Sequence, residues 1–172
     1  MSRRYTKRTF KRATSSGYSI ERTTFLSDLI PSTAVQGTTV AITVVPASTT
    51  QGKRTVGKFL VNPFIARQNT DEGFEYGYVL CLRREGTTVL GPDWAVNNSP
   101  GTVNSLYEPN QDVLSFGVWT TQTNPSLRVR SSSYRKLHKG DSVVLFLTKL
   151  DIVSSAANVY FNGVVQYSIK YN

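Results

Sequence analysis

The chain has 172 residues, with 20 Lys and Arg against 11 Asp and Glu, a formal net charge of +9 at pH 7. That length suits one domain, and 39% hydrophobic residues supply enough apolar material for a core. One Cys excludes an internal disulfide framework and Cys-based zinc sites, one His excludes two-His metal motifs, and no run of about 18 apolar residues offers a membrane span.

Residues 1–17 read as a basic arm. Arg3, Arg4, Lys7, Arg8, Lys11 and Arg12 fall within the first twelve positions, and no acid precedes Glu21. Without these six, 14 basic residues face 11 acidic ones, so residues 18–172 form a nearly neutral domain. The basic doublets recur every four positions, and a helix would place like charges at i,i+4 with no apolar stripe to bury. The arm is therefore expected to be disordered when free and to order on an acidic partner. Tyr5, Phe10 and Tyr18 interleave with the cations, and such rings stack on unpaired bases. The six cations with Tyr5 and Phe10 are thus the candidate nucleic-acid-binding residues, and the same cations suit nuclear import. A merely solvated tail and a transit peptide fit less well, the second because no amphipathic helix can be drawn. No apolar stretch follows the cations as a secretory signal requires.

Eight β-type runs follow, approximately Tyr18–Ile30, Thr38–Val45, Arg54–Ala66, Glu75–Glu85, Asp112–Thr120, Ser126–Leu137, Ser142–Val153 and Asn158–Tyr171. Most are rich in Val, Ile, Thr, Tyr or Phe and bounded by Gly, Pro, Asn or Ser. Leu127 and Val129 alternate with Arg128 and Arg130, which puts both arginines on one face. Val143, Leu145 and Leu147 oppose Val144, Phe146 and Thr148, a strand apolar on both sides and so expected at the centre of a sheet. Asn162-Gly163 gives the strongest hairpin signal, either a turn or a corner between sheets. Gly86–Gln111, with Pro92, Pro100, Gly101 and Pro109, reads as a long functional or interface loop. No segment keeps a helical period, so the pattern predicts an all-β sandwich or closed barrel.

Converging catalytic groups are scarce. His138 sits among cations in a turn, and Cys81 reads as a small buried thiol. Asp71, Glu72 and Glu75 read as a solvated acidic loop rather than a cation site, and Trp94 beside Asp93 as an anchor rather than a sugar platform. Neither a phosphate-binding GxxxxGK[ST] loop nor GxGxxG occurs. The expectation is a non-enzyme with no cofactor and no metal site.

Three stretches carry a family likeness. YVLCLRREGTTVLGP, SLYEPNQDVLSFGVW and RVRSSSYRKLHKGDSVVLFL occur in that order, and Tyr107-Glu108-Pro109-Asn110-Gln111 is the most specific piece. Together with the arm they resemble the capsid proteins of small circular single-stranded DNA viruses, the circovirus-like group with a replication-initiator gene. The resemblance implies a single jelly-roll subunit of about eight antiparallel strands, self-assembled as sixty copies into an icosahedral shell around circular single-stranded DNA. The arm would then point inward to the genome and engage host import machinery. The protein would be found in the virion and, during assembly, in the host nucleus, with a host receptor as a further partner and no membrane insertion.

Six cations on each of sixty arms cannot neutralise a genome whose coat gene alone takes three nucleotides per residue. Arg83, Arg84, Arg128 and Arg130 are therefore candidate inner-surface basic residues, with outward or interface positions as the alternative. Two rival readings stay open: a coat protein of a small RNA or satellite virus, and a non-capsid single-stranded nucleic-acid-binding module. RNA is a possible content of recombinant shells of the DNA-virus type, because an arm that reads phosphates carries no base code.

Overall fold

The computed structural model describes residues 17–30, 34, 36–50, 52–67, 74–86, 111–151 and 158–171, and within them every regular element is a strand. In chain order these are β1 (Ser19–Ile30), β2 (Thr39–Val45), β3 (Arg54–Arg67), β4 (Glu75–Arg83), β5 (Gln111–Thr120), β6 (Val129–Leu137), β7 (Ser142–Lys149) and β8 (Val159–Tyr171). Each falls on one of the eight expected runs, because β-branched and aromatic residues fit a pleated, half-buried surface. One sheet has the order β1-β8-β3-β6 and the other β2-β7-β4-β5. All pairings are antiparallel. The described fold is all-β, eight antiparallel strands in two sheets, consistent with a β-sandwich. First pairs with last, second with seventh, third with sixth, and fourth with fifth.

One face of each sheet builds a shared core. Val56, Phe59 and Val61 of β3 and Phe161, Val165 and Ile169 of β8 belong to the same buried cluster as Tyr76, Leu80 and Leu82 of β4 and Leu145 and Leu147 of β7. Aromatic rings join the layers: Tyr76 meets Phe161 edge-on at 5.3 Å, and Trp119 lies 5.8 Å from Tyr76 and 6.1 Å from Phe161. The Trp119 Nε1–H donates to the Asn124 carbonyl at 2.7 Å, so the indole is buried without losing its polar partner. At the β5–β6 edge, the Arg135 guanidinium donates to both oxygens of Asp112, with Nη2 to Oδ1 at 3.1 Å. β7 lies between β2 and β4 and is buried along its whole length, as its two apolar faces predicted. Val144 and Phe146 join Val79 and Cys81 in a smaller cluster on the face turned away from the core.

β3 keeps its core face only by means of a bulge. Gly57 pairs with Ser168 of β8 and Leu60 with Gln166, so three steps on β3 match two on β8. Buried positions run Val56, Phe59, Val61, with exposed Lys58 as the extra residue at φ 51°. Bulges of this kind restore alternation after one inserted residue.

The hairpin expected at Asn162-Gly163 is absent. Both residues lie inside β8, where Gly163 pairs with Phe25 on one side and Pro63 on the other. The glycine serves close approach instead of a turn. A Cβ there would stand 2.5 Å from the Asn62 carbonyl oxygen and 2.5 Å from the Phe25 ring. Because the first of these is backbone, Gly163→Ala is expected to destabilise the fold by about 1–3 kcal/mol. Urea unfolding of the variant checks this; a stability equal to the parent would show that the sheet yields there.

Candidate nucleic-acid interface

The outward face of the β1-β8-β3-β6 sheet collects the basic residues that the strands carry. Along β6 the even positions Arg130, Ser132, Tyr134 and Lys136 face away from the core, while Val129 and Leu137 are buried. Arg128, just before β6, is exposed as well. The alternation predicted for Leu127–Arg130 therefore holds, and it continues beyond Arg130 through Ser132 and Tyr134 to Lys136.

Register converts this column into rows. Arg22, Gln166, Leu60 and Arg130 stand in line across all four strands. Ile20, Ser168, Gly57 and Tyr134 form the next row, and Lys170, Thr55 and Lys136 the one beyond. Lys58, on its bulge, lies between the rows of Gly57 and Leu60. Strands about 4.8 Å apart bring Arg22, Lys58, Arg130, Lys136 and Lys170 into one patch. Outward positions of this sheet hold no acid among the described residues: Glu21, opposite Tyr167, has the inward parity. Nor does any of these cations form an ion pair among the described residues. The Arg22 Nε–H donates to Gln166 Oε1 at 2.9 Å, which orients the guanidinium across the sheet without neutralising it.

Aromatic rings share this end of the face. The Tyr18 and Tyr134 centroids are 5.2 Å apart at an interplanar angle of 56°, and Lys170 Nζ lies 6.0 Å from the Tyr18 centroid. Tyr134 can lie there because Gly57 beneath it has no side chain. A Cβ on Gly57 would come within 2.4 Å of the ring. Beside Arg22 the surface carries a shallow hollow of about 360 Å³ lined by Arg22, Thr23, Thr24 and Val164.

The four inner-surface candidates do not stand together. Arg128 and Arg130 belong to this patch, but Arg83 ends β4 in the other sheet, in register with Gln111 and Ser142. Arg84 is engaged, its Nη1 2.7 Å from Asp141 Oδ2. Sequence alternation shows which residues share a strand face, not which sheet the strand joins. Arg22, Lys58, Lys136 and Lys170 escaped the sequence reading, as did the position of Tyr134. For Lys136 and Tyr134 the signal was present, since both continue the even-numbered column from Arg130. Arg3, Arg4, Lys7, Arg8, Lys11, Arg12, Tyr5 and Phe10 lie outside the described residues, as do Asp71, Glu72, Asp93, Trp94 and all of the long loop Gly86–Gln111 except its two end residues.

The reactive side chains are quiet. Burial pushes the Cys81 thiol up to about 12, with Arg83 opposing only weakly, so no thiolate forms near neutrality. His138 is exposed, and its backbone N–H donates to Asp141 Oδ2 at 2.9 Å. Glu75, the described member of the acidic loop, is tied through its N–H to Asp151 Oδ2 at 2.9 Å. Among the described residues no three His, Cys, Asp or Glu side chains converge as a metal site would need. No protein-family model and no curated protein matches the chain.

Asp141 is the fixed point of the turn that holds Arg84. Burial works against its charge, but N–H donation from His138, the Arg84 guanidinium and the Glu85 N–H outweigh it, and its carboxyl sits below the ordinary 3.8. A depressed folded-state value means stability that is fully present above about pH 4 and lost as pH falls through the folded value. Asp141→Asn is therefore expected to be less stable than the parent at pH 7, by about 1–3 kcal/mol. The gap should close toward pH 3. Urea unfolding at the two pH values measures it, and a gap unchanged at pH 3 would mean the loss is steric.

Proposed function

We propose that this chain is a structural coat protein of a small circular single-stranded DNA virus, assembling as sixty copies and packaging the genome through its basic arm. The observation that carries the reading is a basic sheet face at the start of β1, the strand that the cation-rich sequence precedes. The cation-rich segment ends where β1 begins, beside a sheet face whose outward charges are all positive among the described residues. The face supplies part of the countercharge that six arm cations cannot provide alone. Pairing of first strand with last, second with seventh, third with sixth and fourth with fifth supports a jelly-roll reading, since that order arises from rolling up one long antiparallel ribbon. The YEPNQ and RKLHKGD segments support the DNA-virus group. An inward-facing arm would also carry nuclear import, and the particle would be the site of the mature protein.

Self-association has its own support. β5 is an edge strand, and it exposes Phe116 and Val118, each 60% accessible. Exposed apolar side chains on an unpaired edge invite a second copy. Phe116→Glu is expected to leave the fold intact by circular dichroism and to shift sedimentation from a particle toward single subunits. Unchanged particles would place the subunit contact elsewhere.

A second reading, a monomeric single-strand-binding module, is favoured by one feature, the Tyr18–Tyr134 pair on an open sheet face. Sedimentation velocity read at 260 and 280 nm separates the two. The coat reading expects a boundary for sixty copies of a 19.1 kDa chain, about 1.1 MDa, with excess absorbance at 260 nm. A 19 kDa species at physiological salt and all protein concentrations would overturn it in favour of the module.

Changing all six arm cations to Ala is expected to abolish nucleic-acid uptake and keep the fold. Six phosphate contacts on a single strand give log K against log salt a slope of roughly −4, and steeper for each sheet cation that joins. A slope near zero in the intact chain would remove the electrostatic mechanism.

A further inference from the structure

We infer that Tyr134, backed by Tyr18, is a base-stacking site for single-stranded nucleic acid, with Lys170, Lys136, Lys58, Arg22 and Arg130 placed around it for the flanking phosphates. The inference rests on the reading that this sheet face meets nucleic acid, and it adds a contact to the base itself, which neither the arm's charge nor the face's charge supplies.

Three features of the geometry carry it. First, Tyr134 is open to solvent, at 39% exposure, although a phenol ring on a sheet face gains by burial. The ring is nonetheless held, since its inner side rests on the bare Cα of Gly57 and Tyr18 flanks it at 5.2 Å. A ring already fixed loses little conformational entropy when a base stacks on its free side. Second, the charge around the ring is of one sign. Lys170 lies over Tyr18, Lys136 is two residues along the strand from Tyr134, and Arg22 and Arg130 share a row within two outward positions. An acidic peptide would match that charge, but it offers a ring to the tyrosine pair only where an aromatic residue happens to fall. Unpaired nucleotides present both phosphate and π-face at every step. Third, the site stands where the arm departs. Gly17, the residue that joins arm to sheet, lies against Lys170, whose Cε would be 3.6 Å from a Cβ at that glycine. A strand held by the arm is thus delivered to the ring by the chain's own connectivity, at the high effective concentration that short tethers give.

The test compares two probes of equal charge on the full-length protein: a fluorescent oligothymidylate and an abasic deoxyribose-phosphate chain of the same length. Tyr134→Leu is expected to weaken oligothymidylate binding about 5- to 100-fold, the range for loss of one stacked base, and to leave the abasic chain and the salt slope unchanged. Tyr134→Phe keeps the ring and should bind as the parent does. As a readout that needs no variant, 5-iodouracil in the oligonucleotide should photo-crosslink to Tyr134 or Tyr18 on irradiation, as mapped by mass spectrometry. Equal weakening of both probes by Tyr134→Leu would overturn the stacking site and make the ring a support for the cations. Full oligothymidylate affinity in a folded Tyr134→Leu protein would overturn it too. If the parent binds neither probe, the nucleic-acid reading itself fails; if it binds both equally and no crosslink forms at either tyrosine, only the stacking site fails.

Discussion

The outward face of the first sheet exists in its present form because β3 bulges at Lys58. Side chains along a strand alternate between faces, so an unbroken β3 with Val56 in the core would also turn Lys58 and Leu60 inward and Phe59 and Val61 outward. The extra residue resets the alternation. Phe59 and Val61 reach the core, and Lys58 stays in water. The cost is local, because a non-glycine residue at φ 51° is strained by roughly 1–2 kcal/mol. A buried, unpaired ammonium would cost far more, and losing Phe59 and Val61 from the core would add to that. The same step fixes Gly57 under Tyr134 and aligns Leu60 with both Gln166 and Arg130. Core packing and surface charge thus depend on one backbone irregularity.

Across the sandwich the two sheets are held by different means at centre and edge. At the centre, Tyr76, Trp119 and Phe161 interlock with ring separations of 5.3–6.1 Å, and such pairs contribute beyond their buried area. At the β5–β6 edge the bidentate Arg135–Asp112 pair reaches from sheet to sheet. Partly exposed charges gain little energy from pairing, but the fork geometry fixes how the edges align. Arg84 and Asp141 instead tie the ends of β4 and β7 within one sheet, where the N–H groups of Glu85 and His138 also donate to the carboxylate. The arginines the fold uses for itself are paired. Those on the outward face of the first sheet form no ion pair among the described residues, and this separates structural from available charge.

Much of this was legible in the sequence, and the misses share one cause. All eight strands appear where β-branched and aromatic runs lie between turn residues, and the buried course of β7 follows from its two apolar faces. Alternation placed Arg128 and Arg130 together and outward. What it could not supply was neighbours: Arg22 and Arg130 lie far apart in the chain and share a row only because β8 and β3 stand between their strands in that order. Nor could it show that Arg83 and Arg84 stand apart from them, since β4 joins the other sheet. Asn162-Gly163 misled because local turn chemistry is judged without the partner strands. Here a carbonyl of β3 and a ring of β1 occupy the space where a Cβ would stand, and glycine answers a packing demand.

In the proposed coat reading, a basic arm and a charged sheet face would solve different parts of one problem. An arm without fixed structure can neutralise phosphates at any position along a polymer, but each contact it makes also costs the ordering of its own chain. The face has met that cost in folding. Its cations hang from strands whose spacing is set, and its tyrosines are already held together, so a strand reaching it gains contacts while the protein loses little freedom. The face is too small to capture a long polymer by itself, and its charges are screened within about 8 Å at physiological salt. On that reading the arm would extend the reach of capture, and the face would give the captured strand a preferred place. Multiplied over many copies on one polymer, even a weak preference of this kind would become substantial, because every subunit added would bring another face to a strand its neighbours already held. That coupling would make nucleic acid a participant in assembly as well as its cargo.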